Sequence, residues 1–143
     1  MRFLLFFLIF VLYSCNNTEI SDSIVARLDN DDNVKAICLS DFVKFNWDRM
    51  YIYPEFYSPD DISKDIGIVY TDGYVKEGVY MLLFTYRNSI VHKEDIPKLN
   101  NKQSFVSFKD IRFILKDNDT LFVEKTKLYD SCDKCKMFIL TQR

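Results

Sequence analysis

The run Val-Tyr-Met-Leu-Leu-Phe-Thr-Tyr, Val79–Tyr86, is apolar on both sides through Phe84. Successive side chains of a strand point to opposite faces. A sheet with one wet face alternates apolar and polar residues, so an unbroken apolar run calls for cover on both faces. The chain must therefore fold with material above and below this strand. Arg87-Asn88-Ser89 then reads as a turn, and residues 90–96 as a returning strand that Pro97 ends.

The same punctuation continues. Residues 100–102 form a loop. Phe105, Ile111, Phe113 and Leu115 lead into a turn at 116–119, residues 120–129 return as a strand, 130–135 turn again, and 137–140 make the last strand. Upstream, Arg49–Tyr53 is a strand closed by Pro54. Ser58 is a natural N-cap, Pro59 suits the first helical position, and Asp60 and Asp61 suit the first turn. Gly67 is the stop, and Ile62 and Ile66 would face the core. Ser21 or Ser23 can cap an earlier helix with Ile24, Val25 and Leu28 on one face, broken at 30–33. Residues 34–39 are short and apolar, compatible with a strand or a helical turn. The expected fold is α+β: an antiparallel β meander of about five or six strands with one or two short helices packed on it.

The segment 44–58, KFNWDRMYIYPEFYS, is rich in aromatic residues and holds the only tryptophan. In register, Met50 and Ile52 face one side of the strand, and Arg49, Tyr51 and Tyr53 face the other. The Met50 side is expected to pack under the helix at 59–66, with Trp47 at its edge. The second face, Trp47, Asp48, Arg49, Tyr51 and Tyr53, is the candidate binding face.

Formal charge is −2, from 19 basic and 21 acidic residues, and no long basic run occurs. A nucleic-acid partner is therefore not expected. The three glycines, Gly67, Gly73 and Gly78, form neither a G-x-G-x-x-G nor a P-loop, and no cofactor is expected. Asp48, Glu55, Asp60 and Asp61 surround the aromatic segment, and two carboxylates suffice for a hydrolase. Asp60 and Asp61 are explained by the helix start, Glu55 by a loop, and Asp48 by capping a turn or pairing with Arg49. His92, the only histidine, stands on a predicted strand among polar neighbours, without a nucleophile motif.

Cys132 and Cys135 form a C-x-x-C at a predicted turn. A thioredoxin-like redox pair needs a helix after the first cysteine, where the sequence predicts a strand. A metal site needs about four ligands, which Cys38 and His92 would have to complete. A structural disulfide fits best, because α-carbons at the ends of a β-turn lie within bridging distance. Cys38, between Ile37 and Leu39, is expected as a buried free thiol.

The first residues, MRFLLFFLIFVLYSC, combine a positive charge at Arg2, an apolar run over 3–12 and a small residue, Ser14, before Cys15. The run is shorter than the ~20 residues needed to span a bilayer, and the pattern is that of an export signal. Leu12-Tyr13-Ser14-Cys15 resembles the lipobox of bacterial lipoproteins, with Tyr13 bulkier than usual. The resemblance implies removal of a signal peptide at 1–14 and lipidation of Cys15. Residues 15–23 would form a lipidated cysteine and flexible tether, and 24–143 a single domain. It also implies an export compartment, where a disulfide can form. Asn16 stands where an aspartate tends to hold such proteins at the inner membrane, which favours the outer membrane. The segment 45–54, with its Trp-Asp-basic pattern and aromatic strand, also resembles a loose group of small exported bacterial lipoproteins. That likeness covers about 37–96 and implies no activity.

The sequence therefore points to a lipid-anchored envelope protein with a non-enzymatic domain that binds a protein or a cell-envelope component. The alternatives are an anchored carboxylate hydrolase of glycans or peptides, and a periplasmic inhibitor or immunity-type lipoprotein.

Overall fold

The computed structural model describes residues 19–98, 104–127 and 136–142. The expected signal peptide, Cys15, the loop at 100–102 and the turn carrying Cys132 and Cys135 lie outside the described residues. In chain order the elements are α1 (Ile20–Asn30), β1 (Ala36–Cys38), β2 (Arg49–Tyr53), α2 (Pro59–Ile66), β3 (Val79–Tyr86), β4 (Ser89–Pro97), β5 (Ser104–Phe108), β6 (Phe113–Leu115), β7 (Thr120–Lys127) and β8 (Lys136–Thr141). The fold is α+β, with a β-rich core.

The strands form two four-stranded sheets rather than one meander, in the orders β4-β3-β2-β6 and β1-β7-β8-β5. All pairings are antiparallel except β5 with β8, which is parallel. β3 is an interior strand, and Met81 through Thr85 are buried, as its two-sided apolar run requires. One face of its sheet presents Met50, Ile52, Leu82, Phe84, Ile96 and Ile114. These share a core with Ile37, Val106, Phe108, Leu121, Phe138 and Leu140 of the second sheet and with Ile20, Ile24 and Leu28 of α1. The opposite face presents Tyr51, Tyr53, Met81 and Leu83 to Ile62 of α2 and to Tyr70 and Val75 of the following loop.

This arrangement corrects the expected side of β2. α2 lies over Tyr51 and Tyr53, not over Met50 and Ile52, which face the second sheet and α1. Strand parity separates two faces but does not say which partner covers each, and here both faces find one.

α2 follows its punctuation closely. The Ser58 hydroxyl accepts a hydrogen bond from the Asp61 amide at 3.1 Å, and Gly67 adopts φ 70° at the C-terminus. α1 does not. Its body includes Ile20 and Ser21, both buried, so the folded domain begins earlier than the tether boundary read at residue 23. Neither Ser21 nor Ser23 caps it. The cap comes instead from Glu94 on β4, whose carboxylate accepts from the Ile20 amide at 2.8 Å and the Ser21 amide at 2.9 Å. A residue on a distant strand leaves no local signal of capping.

Among the described residues no helix is long and apolar enough to cross a membrane. Cys38 is exposed, contrary to the expected buried thiol, because in β1 it is Ile37 that points into the core.

Candidate functional site

The site is built around β2, and Asp48 fixes the chain just before that strand begins. The Asp48 amide donates to the Thr85 carbonyl at 2.9 Å, and its own carbonyl accepts from the Lys116 amide at 3.0 Å. Its carboxylate accepts from the Thr85 hydroxyl at 3.1 Å and from the Arg87 amide at 2.9 Å. Arg87 and Asn88 form the two-residue β3–β4 turn, and both have positive φ, 47° and 59°. This is the twist that tight hairpins prefer, but it is unusual for an arginine. Asp48 holds that turn in place. Of its two expected roles, turn capping is the one the geometry provides. Trp47 beside it is buried at 1% exposure and meets Phe84 edge-on, ring centroids 5.7 Å apart.

Arg49 is exposed and its Nη1 donates to the Tyr51 hydroxyl at 3.2 Å. That hydrogen bond and the charge of the tyrosine oxygen raise the Arg49 pKa. Tyr51 and Tyr53, two apart on the same face of β2, lie with rings parallel within 4° at 6.1 Å. Tyr57 leans on Tyr53 at 5.0 Å, and Phe113 on Tyr51 at 6.3 Å. Tyr51 and Tyr53 are buried, so the predicted face is not an open aromatic surface. Their accessible rims instead line a cleft of about 360 Å³, bounded by Arg49, Pro54, Tyr57, Asp65, Arg112 and Phe113. One wall comes from α2 and the loop leading into it, where Tyr57 donates to Asp65 at 3.2 Å. The other wall is Arg112 and Phe113 at β6, an edge strand of the sheet.

Two polar groups stand out in this cleft. The Tyr53 hydroxyl is buried and has no hydrogen-bond partner among the described residues. Burial, followed by the charges of Asp65, Tyr51 and Tyr57, raises its pKa well above the ordinary tyrosine range. Those three groups line the cleft together with Tyr53 itself. The Arg112 guanidinium makes no hydrogen bond or ion pair within the described structure. Phe113 is half exposed beside it.

The structure therefore brings Arg49, Tyr51 and Tyr53 to one cleft. Arg49 and Tyr51 also border a neighbouring cleft of about 360 Å³, lined by Trp47, Asp48 and Asp117. Sequence reasoning missed Tyr57, Asp65, Arg112 and Phe113. Tyr57 stood inside the aromatic segment, and nothing local marked the other three.

The remaining candidates have structural partners. Glu55 accepts from the Gly78 amide and from Lys98, each at 2.6 Å, and the Lys98 contact leads in lowering its pKa. Asp61 accepts from the Ser58 hydroxyl at 2.6 Å, and Asp60 lies in the first turn of α2. His92 is on β4, as predicted, its ring tilted against Phe45 with centroids 4.8 Å apart and its Nε2 3.8 Å from Glu94. It borders a cleft of about 680 Å³ at the start of α1, but the Glu94 carboxylate there is taken up by the helix. Cys38 and His92 stand on β1 and β4, edge strands of different sheets. No cluster of three metal-ligating side chains occurs among the described residues.

Comparison with protein-family models, with curated proteins and with solved structures returns no match. The chemistry of the cleft is accordingly read from its own residues.

Proposed function

We propose that this chain is a lipid-anchored bacterial envelope protein whose domain binds a partner through the cleft over β2. The observation that carries the binding reading is Tyr53, whose buried hydroxyl has no partner among the described residues and whose side chain lines a cleft rimmed by aromatic rings and two arginines. Buried polar groups in folded proteins are nearly always paired, and in a cleft an incoming ligand can supply the pair. The committed carboxylates of Asp48, Glu55 and Asp61 favour binding over carboxylate-based hydrolysis.

The anchoring part rests on the lipobox resemblance at Leu12-Tyr13-Ser14-Cys15. A diacylated cysteine holds a protein firmly where a single chain does not. α1 starts at Ile20, so the chain from Cys15 reaches at most about 18 Å. The domain then sits close to the bilayer surface, held through a helix that both sheets grip.

Two measurements test this. Palmitate should label the full-length chain and be lost in Cys15→Ser; labelling that persists sinks the anchor. Crosslinked capture from the native membrane should recover a partner with the intact chain and lose it with Phe113→Asp. Equal recovery by both removes the cleft as the binding site.

A further inference from the structure

We propose that the cleft over β2 is a carboxylate site, taking a ligand with one carboxylate on an apolar or aromatic body. The inference rests on the binding reading above and gives it a chemical class.

The polar groups facing the cleft are chiefly donors. Arg112 has five N–H donors and no partner within the described structure. Arg49 spends one N–H on Tyr51 and keeps the rest. The Tyr53 hydroxyl is buried and has no partner among the described residues. The single carboxylate of the lining, Asp65, already accepts from Tyr57. Two guanidiniums against one carboxylate leave the cleft positive, and a planar guanidinium fork matches a carboxylate better than any neutral acceptor. The rest of the lining, Pro54, Phe113 and the rims of Tyr51 and Tyr57, is apolar or aromatic. Such a surface asks for a body with little polarity of its own. At about 360 Å³ the cleft is at the small end of ligand sites, which suits one side chain and its carboxylate. A free aromatic acid and the C-terminal residue of a peptide present the same chemistry.

The arrangement also explains why a tyrosine and not a phenylalanine stands at 53. On the grounds of packing alone the hydroxyl is a burden in that position, since it finds no partner among the described residues. A ligand carboxylate in the cleft supplies one.

The test is an NMR titration of the full-length chain in detergent micelles. The probes are N-acetyl-L-phenylalanine, its amide, and phenylacetate. The acid should shift the amide signals of residues 49–53 and 112–113, and should bind at least about tenfold more tightly than the amide, about 1.4 kcal/mol. Tyr53→Phe and Arg112→Gln should each weaken the acid about fivefold or more and leave the amide unchanged. Tyr53→Phe removes an unpartnered group, so it should keep the fold. Phenylacetate binding as tightly as the acetylated amino acid identifies the free-acid form; clearly weaker binding identifies the peptide terminus. Equal binding of acid and amide overturns the carboxylate assignment, as does an acid titration without shifts at those residues. If capture by the cleft nevertheless depends on Phe113, the binding reading survives this failure. If capture does not, both fall.

Discussion

Glu94 and Lys125 hold opposite ends of one helix. The Glu94 carboxylate accepts from the amides of Ile20 and Ser21 and, at 2.6 Å, from the Ser21 hydroxyl. The Lys125 Nζ donates to the carbonyls of Leu28 at 3.0 Å and Asp31 at 3.1 Å, and to Asp32 at 3.0 Å. Glu94 belongs to one sheet and Lys125 to the other. The negative group sits at the positive end of the helix dipole and the positive group at its negative end. α1 thereby ties the sheets together with charges as well as with Ile20, Ile24 and Leu28.

Glu94→Ala removes the cap and leaves buried amides unpaired. We expect a loss of at least about 2 kcal/mol in urea unfolding, because charge-assisted bonds lose more than neutral ones. Glu94→Gln keeps one acceptor oxygen and should lose less. No loss in either variant would refute the cap.

Lys125→Met keeps an apolar stem over Phe138, whose ring lies 5.4 Å from the ammonium, and removes only the polar contacts. A loss of about 1–2 kcal/mol is expected. In the double variant with Glu94→Ala the losses should sum to less than their total, since both act on one helix. Strict additivity would show that the two ends release independently.

Asp48→Ala should loosen the β3–β4 hairpin. It frees the Arg87 amide, which should lose protection in hydrogen exchange, and destabilises the fold by about 1–3 kcal/mol. Asp48→Asn should recover part of this. Unchanged exchange at Arg87 would deny Asp48 its role as a clamp.

Two ionisations give opposite pH limits. The folded-state pKa of Glu55 is lowered, first by Lys98 and then by the Gly78 amide. Its contribution is present above the ordinary value of 4.5 and is lost as pH falls below it. The melting-temperature gap between the native chain and Glu55→Gln should therefore close in acid. The Tyr53 pKa is raised by burial. Its contribution is present below about pH 10 and fades as pH rises beyond. Tyr53→Phe should blunt that alkaline loss; an identical alkaline profile would contradict the burial.

Trp47 is the only tryptophan, and it is buried against Phe84. Native emission should be blue-shifted and move to the red on unfolding. Trp47→Ala should cost about 3–5 kcal/mol, enough to threaten a fold of ordinary stability. Emission at the wavelength of free tryptophan under native conditions would show that the indole is not enclosed.

Local chemistry made β2, α2 and β3 legible. Pro54 and Gly67 are stops whatever surrounds them, Ser58-Pro59 starts a helix by its own geometry, and the Val79–Tyr86 run needs cover on both faces in any fold. β6 was less visible: it is three residues long, and only Ile114 is buried. The parallel pairing of β5 with β8 could not be read either, because strands joined by turns suggest antiparallel neighbours.

The candidate site divides the same way. Arg49, Tyr51 and Tyr53 announce themselves as one face of a strand, since alternation is a property of the backbone. Arg112 and Phe113 reach that face only because β6 pairs with β2, and Asp65 only because α2 packs on the tyrosine side. Alternation sorts side chains into two faces and end signals bound each element, and both act over a few residues. Which face each layer covers, and which distant groups then meet across β2, depends on apolar surfaces finding each other over the whole chain. Only the folded arrangement settles those matches.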